Sequence, residues 1–208
     1  TAQQARDEFI AESNNTNIII KHVDMSSLAS IRIFAQDIIN TESVIDVLIH
    51  NAGVAQGLTT TVTSYARVKR DLSNINPRNT LLPTKLYNLS KFMDIMFTQE
   101  LARRLQGTRV TANCLHPGVI DTGIWRNIPF PLNVLFKPIQ WCFRTPEEGA
   151  RTTLYLTVSP EVERISGKYF RGCQITALND RVQDKELQGK LWEASRELVK
   201  LTEHDPNI

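Results

Sequence analysis

The sequence predicts an α/β fold built on a parallel sheet with helices on both of its faces. Apolar runs of strand length recur at residues 17–23 (NIIIKHV), 44–50 (VIDVLIH) and 108–115 (TRVTANCL), and segments of helical periodicity alternate with them. These runs are apolar almost throughout rather than every second residue, the pattern of parallel strands buried on both sides. Two of them end in small residues or glycine, at Asn51-Ala52-Gly53 and Pro117-Gly118. Ligands of open α/β sheets bind beyond such carboxyl ends.

Residues 1–12 have helical spacing from the first residue, which raises the expectation of further sequence upstream. Asn14-Asn15 mark a turn before the first apolar run. Asp24 and two serines follow it, with Ser26 or Ser27 as the N-cap of a helix to about residue 39, whose apolar stripe is Leu28, Ile31, Phe34, Ala35 and Ile38. A long helix spans about 85–105, another starts at Pro146, residues 168–177 read as a strand, and a closing helix begins at Asp184. The β-branched stretch 60–64 (TTVTS) reads as one more strand. If it is parallel to the run at 44–50, the chain must cross over between them, and only residues 54–59 remain for that after Asn51-Ala52-Gly53. A crossover needs at least about 10–12 residues. Either the stretch is not a parallel strand or a helix is missing there.

The 208 residues fit a single domain, 1–208, with 41% hydrophobic and 22% charged residues, an ordinary balance for a folded protein. The net charge of +2 and the short basic runs at Arg67/Lys69/Arg70 and Arg103-Arg104 give no nucleic-acid footprint; both runs read as solvated faces. Cys114, Cys142 and Cys173 are dispersed and odd in number, and His22, His50, His116 and His204 are equally scattered, so reduced, partly buried thiols and no metal site are expected. No apolar run reaches the roughly 18 residues of a membrane span.

The chemistry is carried by Tyr87 and Lys91, four apart on the long helix and so on one face. An ammonium beside a phenol favours the phenolate, and such a tyrosine can exchange a proton with a substrate oxygen. Alone, that pair is common in unrelated helices. With Ser64 at one strand end, Asn51-Ala52-Gly53 at a second and Pro117-Gly118 at a third, the set is specific.

This combination resembles the short-chain dehydrogenases/reductases, in their retinol dehydrogenase-like branch. The carrying segments are DVLIHNAGV at 46–54, YNLSKFMDIMFTQELARRLQGTRVTANCLHPGVIDT at 87–122, and the stretch from KYFRGCQITALND to LWEASREL. The resemblance implies a Rossmann-type doubly wound parallel sheet and interconversion of an alcohol and a carbonyl with a nicotinamide cofactor. It implies Tyr87 as general acid/base, with Lys91 lowering its pKa and holding the nicotinamide ribose, and Ser64 orienting the substrate oxygen. Asp24 matches an acidic residue near the adenine, a role compatible with capping the helix after it. Asn51, Ala52 and Gly53 match a segment along the cofactor, and Pro117, Gly118, Val119 and Thr122 match the loop at the nicotinamide amide. The branch favours NADP(H) over NAD(H) and a small apolar substrate, retinol/retinal or a similar lipid. The apolar, proline-broken stretch 128–141 falls where the family places a substrate lid. An intracellular place, cytoplasmic or at the endoplasmic reticulum, follows, with a homodimer and peripheral membrane contact as further options.

Two departures accompany these matches. The family's first two strands and its TGxxxGxG turn have no counterpart among the nine glycines. A helix carrying a fourth catalytic residue, an asparagine, is missing between Gly57 and Thr60. The expected sheet is therefore incomplete, with apolar surface laid bare and aggregation to follow. The residues that choose between NADP and NAD normally lie in the absent turn. The alternative is a catalytically inactive fragment acting through protein interaction.

Overall fold

The computed structural model describes residues 1–51, 83–120 and 143–201, with side chains of residues 83–87 excluded. They fall into two compact units, Thr1–His50 and Asn51–Ile208.

In the first unit, α1 (Ala2–Ser13) is capped by Thr1, whose hydroxyl accepts the Gln4 amide, and it stops at Asn14 in the left-handed conformation. Asparagine tolerates that conformation better than most residues, which is why the turn was legible. Asp24 Oδ1 accepts both the amide and the hydroxyl of Ser26, at 2.9 and 2.7 Å. This turn delivers the chain to Ser27, the N-cap of α2 (Leu28–Thr41). Lys21 Nζ reaches Asp37 and Thr41 on that helix.

The runs at 17–23 and 44–50 depart from expectation. Neither pairs into a ladder among the described residues. They are not buried either: Ile19 is 67% exposed and Leu48 67%. A parallel strand exists only where a neighbour supplies donors and acceptors for its backbone, and neither run has such a neighbour among the described residues.

The second unit holds a closed core. Helix α3 (Pro83–Arg104) has proline at its start and arginines in its last turn, where cations suit the helix dipole. It turns Phe92, Ile95 and Met96 inward onto Tyr169, Val182, Leu187 and Leu191. The last two belong to a helix that closes the unit. Strand β1 (Cys114–His116) pairs in parallel with β2 (Tyr169–Arg171), with Cys114 opposite Tyr169 and His116 opposite Arg171. The connection contains α4 (Pro146–Val158), opened by a Thr145/Glu148 capping box. This β–α–β unit is what the alternation predicted. The closing helix is α5 (Lys185–Val199), capped by Asp184.

The strand expected at 168–177 is instead a hairpin. β2 turns back at Gly172-Cys173, both at positive φ (59° and 62°), into antiparallel β3 (Gln174–Ile175). Two successive left-handed residues match the twist of a two-residue hairpin. Arg103 and Arg104 are not simply a solvated face: both guanidiniums bind Glu100, which is fully buried. Arg104 also lies 4.5 Å over the Trp192 ring, which stacks on Phe97.

Candidate active site

Tyr87 and Lys91 stand one turn apart on α3, as their spacing requires. The Tyr87 side chain lies outside the described residues, as do Ser64, Ala52, Gly53, Thr122 and the stretch 128–141. Lys91 Nζ donates to Asp94 Oδ2 at 2.9 Å, one turn further along, and its side chain is 43% exposed. Sequence reasoning missed Asp94, although its i+3 spacing from Lys91 was the available signal.

The loop after β1 is built in detail. The His116 imidazole folds back so that its Nδ1 accepts the Gly118 amide at 2.8 Å. Gly118 sits at φ +99°, open to glycine and strained for other residues. The Val119 carbonyl accepts the Arg144 amide at 2.9 Å, and Ile120 bridges Arg144 in parallel. A Cβ on Gly118 would meet Arg144 Cδ at 3.0 Å, and one on Gly149 would overlap Ile120 Cδ1 at 2.1 Å. Both glycines thus allow α4 to close against the loop. Met93 of α3 and Cys114 of β1 pack against the same core, so the helix bearing Lys91 and the strand leading to Pro117 share one support.

The electrostatics are distinctive at two positions. Burial first, then the charges of Arg171 and Arg144, hold His116 below the ordinary histidine range. Burial pushes the Cys114 thiol up to about 12, so it stays protonated and is no nucleophile. Asp24, exposed, is held below the usual carboxylate range by its two bonds from Ser26. Asn51 is exposed, and Asp24 lies in the other compact unit. Among the described residues no cluster of His, Cys, Asp and Glu could hold a metal ion, and no helix is long and apolar enough to cross a membrane.

No family model matches the chain. It is 35% identical to Retinol dehydrogenase 14 of Homo sapiens, covering 88% of this chain and 67% of that protein. It is 32% identical to Retinol dehydrogenase 13 of Homo sapiens over 96% and 74%. Dehydrogenase/reductase SDR family member 13 of Bos taurus is 31% identical over 91% and 61%. The first alignment runs over 228 positions, more than the 208 residues here; 88% of 208 is about 183, so about 45 positions face no residue of this chain. That relative therefore carries sequence within the aligned span that this chain lacks. The fold is also that of a crystal structure of an uncharacterised protein from Mycobacterium paratuberculosis, with TM-score 0.57 at 19% identity over 93% of this chain and 80% of that one. An incomplete Rossmann-type α/β fold and relatives of this similarity agree: the chain belongs to the short-chain dehydrogenase/reductase family of oxidoreductases, in its retinol dehydrogenase-like branch.

Proposed function

We propose that this chain represents an NADP(H)-dependent oxidoreductase that interconverts retinol and retinal, or a similar apolar alcohol and carbonyl. The observation that carries the reading is the Tyr87/Lys91 pair on α3, in a chain similar over most of its length to proteins named retinol dehydrogenases. The residues present fit the nicotinamide half of the cofactor. Gly118, at φ +99°, follows a strand that shares its core with the Lys91-bearing helix, while the sequence has no TGxxxGxG turn for the pyrophosphate. When bound, the nicotinamide supplies or accepts the hydride.

The chain's own residues do the rest. Tyr87 exchanges a proton with the substrate oxygen, and Ser64 orients that oxygen. The Lys91 ammonium would favour the ionised phenol and would hold the cofactor's ribose. By resemblance to the family, Asn51, Ala52 and Gly53 would run along the cofactor, and Pro117, Gly118, Val119 and Thr122 would hold its nicotinamide. Calorimetric titration with NADPH and NADH tests the binding claim, NADPH being expected to bind tighter. In a retinal-reduction assay, Tyr87→Phe should leave cofactor affinity in place and cut turnover by about 10²–10⁴-fold. Equal turnover in the variant would remove Tyr87 from the chemistry.

One observation favours a second reading. About 45 aligned positions are missing relative to Retinol dehydrogenase 14, and the apolar run at 44–50 stands exposed. On this reading the chain is catalytically silent and acts through protein contacts. A folded sample that binds neither cofactor would select it.

A further inference from the structure

We propose that His116 is a positioning residue, whose unprotonated Nδ1 holds the backbone of the Pro117-Gly118-Val119 loop through the Gly118 amide. The inference rests on the proposed function only in what the loop would bind. The hold itself stands on geometry. A backbone N–H can only donate, so the Nδ1 that meets it at 2.8 Å must offer a lone pair, and the neutral ring carries its proton on Nε2. The reach from a side chain to the amide two residues on is that of an Asx-turn, with imidazole nitrogen in place of a side-chain oxygen. On the other side the Arg144 stem lies against Gly118, and the Arg144 amide fixes the Val119 carbonyl. The loop is thus clamped between a titratable acceptor and the start of α4.

The charged groups acting on this imidazole are both cations. Arg171 comes from β2, in register with it, and Arg144 from the residue before the α4 cap. Together with burial they oppose an imidazolium. Protonation of Nδ1 replaces the acceptor with a second donor and leaves the Gly118 amide without its partner. Because the folded pKa lies below the ordinary value of 6.5, the hold is complete above that value and is lost as pH falls through the folded pKa.

The test uses the full chain labelled with ¹⁵N. The Gly118 amide is followed by NMR from about pH 8 to about pH 5, in the wild type, His116→Asn and His116→Phe. Asparagine keeps an acceptor at the Asx distance but does not titrate; phenylalanine has no acceptor. The wild-type amide should lose about tenfold in exchange protection on acidification. The Asn variant should stay flat across the range, and the Phe variant should lack the protection throughout. NADPH titration alongside should show affinity falling about tenfold in the Phe variant and restored by Asn. A Gly118 amide equally protected in the Phe variant, or unchanged with pH in the wild type, would overturn the proposal. If no variant binds NADPH yet the Gly118 pattern holds, the nicotinamide reading fails for this chain while His116's grip on the loop is upheld.

Discussion

The two compact units answer the same kind of sequence with opposite results. In Thr1–His50 the helices are properly capped and the strand-length runs are apolar, yet neither helix buries a residue and Val44, Leu48 and Ile49 face outward. In the second unit Met96, Phe170 and Val182 are closed off from solvent, each at 1% exposure or less. What differs is pairing. β1 and β2 have each other and the helix between them; the runs at 17–23 and 44–50 have no ladder partner among the described residues. Apolarity makes a strand available, but only a neighbour makes it a strand.

The sharpest way to break this contrast is a matched pair of truncations. Phe170→Ala removes a ring that is 1% exposed and should cost about 3–5 kcal/mol, enough to threaten folding of the second unit. Ile49→Ala, at a position 52% exposed, should change stability by no more than about 0.5 kcal/mol. Urea unfolding followed by circular dichroism measures both. Similar costs for the two would mean that residues 44–50 are as well packed as the core.

A smaller effect separates packing from charge within the second unit. Burial alone pushes the Glu100 carboxyl up, but hydrogen bonds from Arg103 and Arg104 outweigh it and hold the group below the ordinary carboxylate range. Glu100→Gln should cost roughly 1.5–3 kcal/mol, the worth of bonds to a charged group. Because the folded pKa is lowered, the contribution is present above the ordinary value of 4.5 and is lost as pH falls through the folded pKa. Stability of the wild type should therefore drop more steeply than that of the Glu100→Gln variant on acidification below about pH 4.5. Parallel slopes in urea midpoints would show that the arginines contribute nothing through this carboxylate.

Much of the second unit was legible because its signals are local. Pro146 opens α4, the closing helix begins at Asp184, and Tyr87 and Lys91 share α3, each by a rule that spans four residues or fewer. The hairpin was lost because Gly172-Cys173 sits inside an otherwise strand-like run, and cysteine rarely announces a left-handed turn. Arg103 and Arg104 read as solvated because nothing in the sequence says that Glu100 is buried beneath them. His116 was counted among scattered histidines; its role depends on how the backbone turns at Gly118, which residue type alone does not reveal. The internal departure was read from the short spacing before residue 60, and the alignment with Retinol dehydrogenase 14 is longer than this chain.

The last and smallest expected effect on stability has the largest consequence for behaviour. Ile45, Val47 and Ile49 make a row of alternate β-branched residues along the sequence, 49–54% exposed. An unpaired, low-charge run of this kind is a template for pairing with another chain. Val47→Lys places a charge in the middle of that row. It removes no buried contact, so stability should change by less than about 0.5 kcal/mol. Self-association, read by sedimentation velocity across a concentration series, should fall clearly. Were the variant to associate as strongly as the wild type, the exposed run would not be the sticking surface. The contrast between the units would then concern packing alone, with no bearing on what the chain touches.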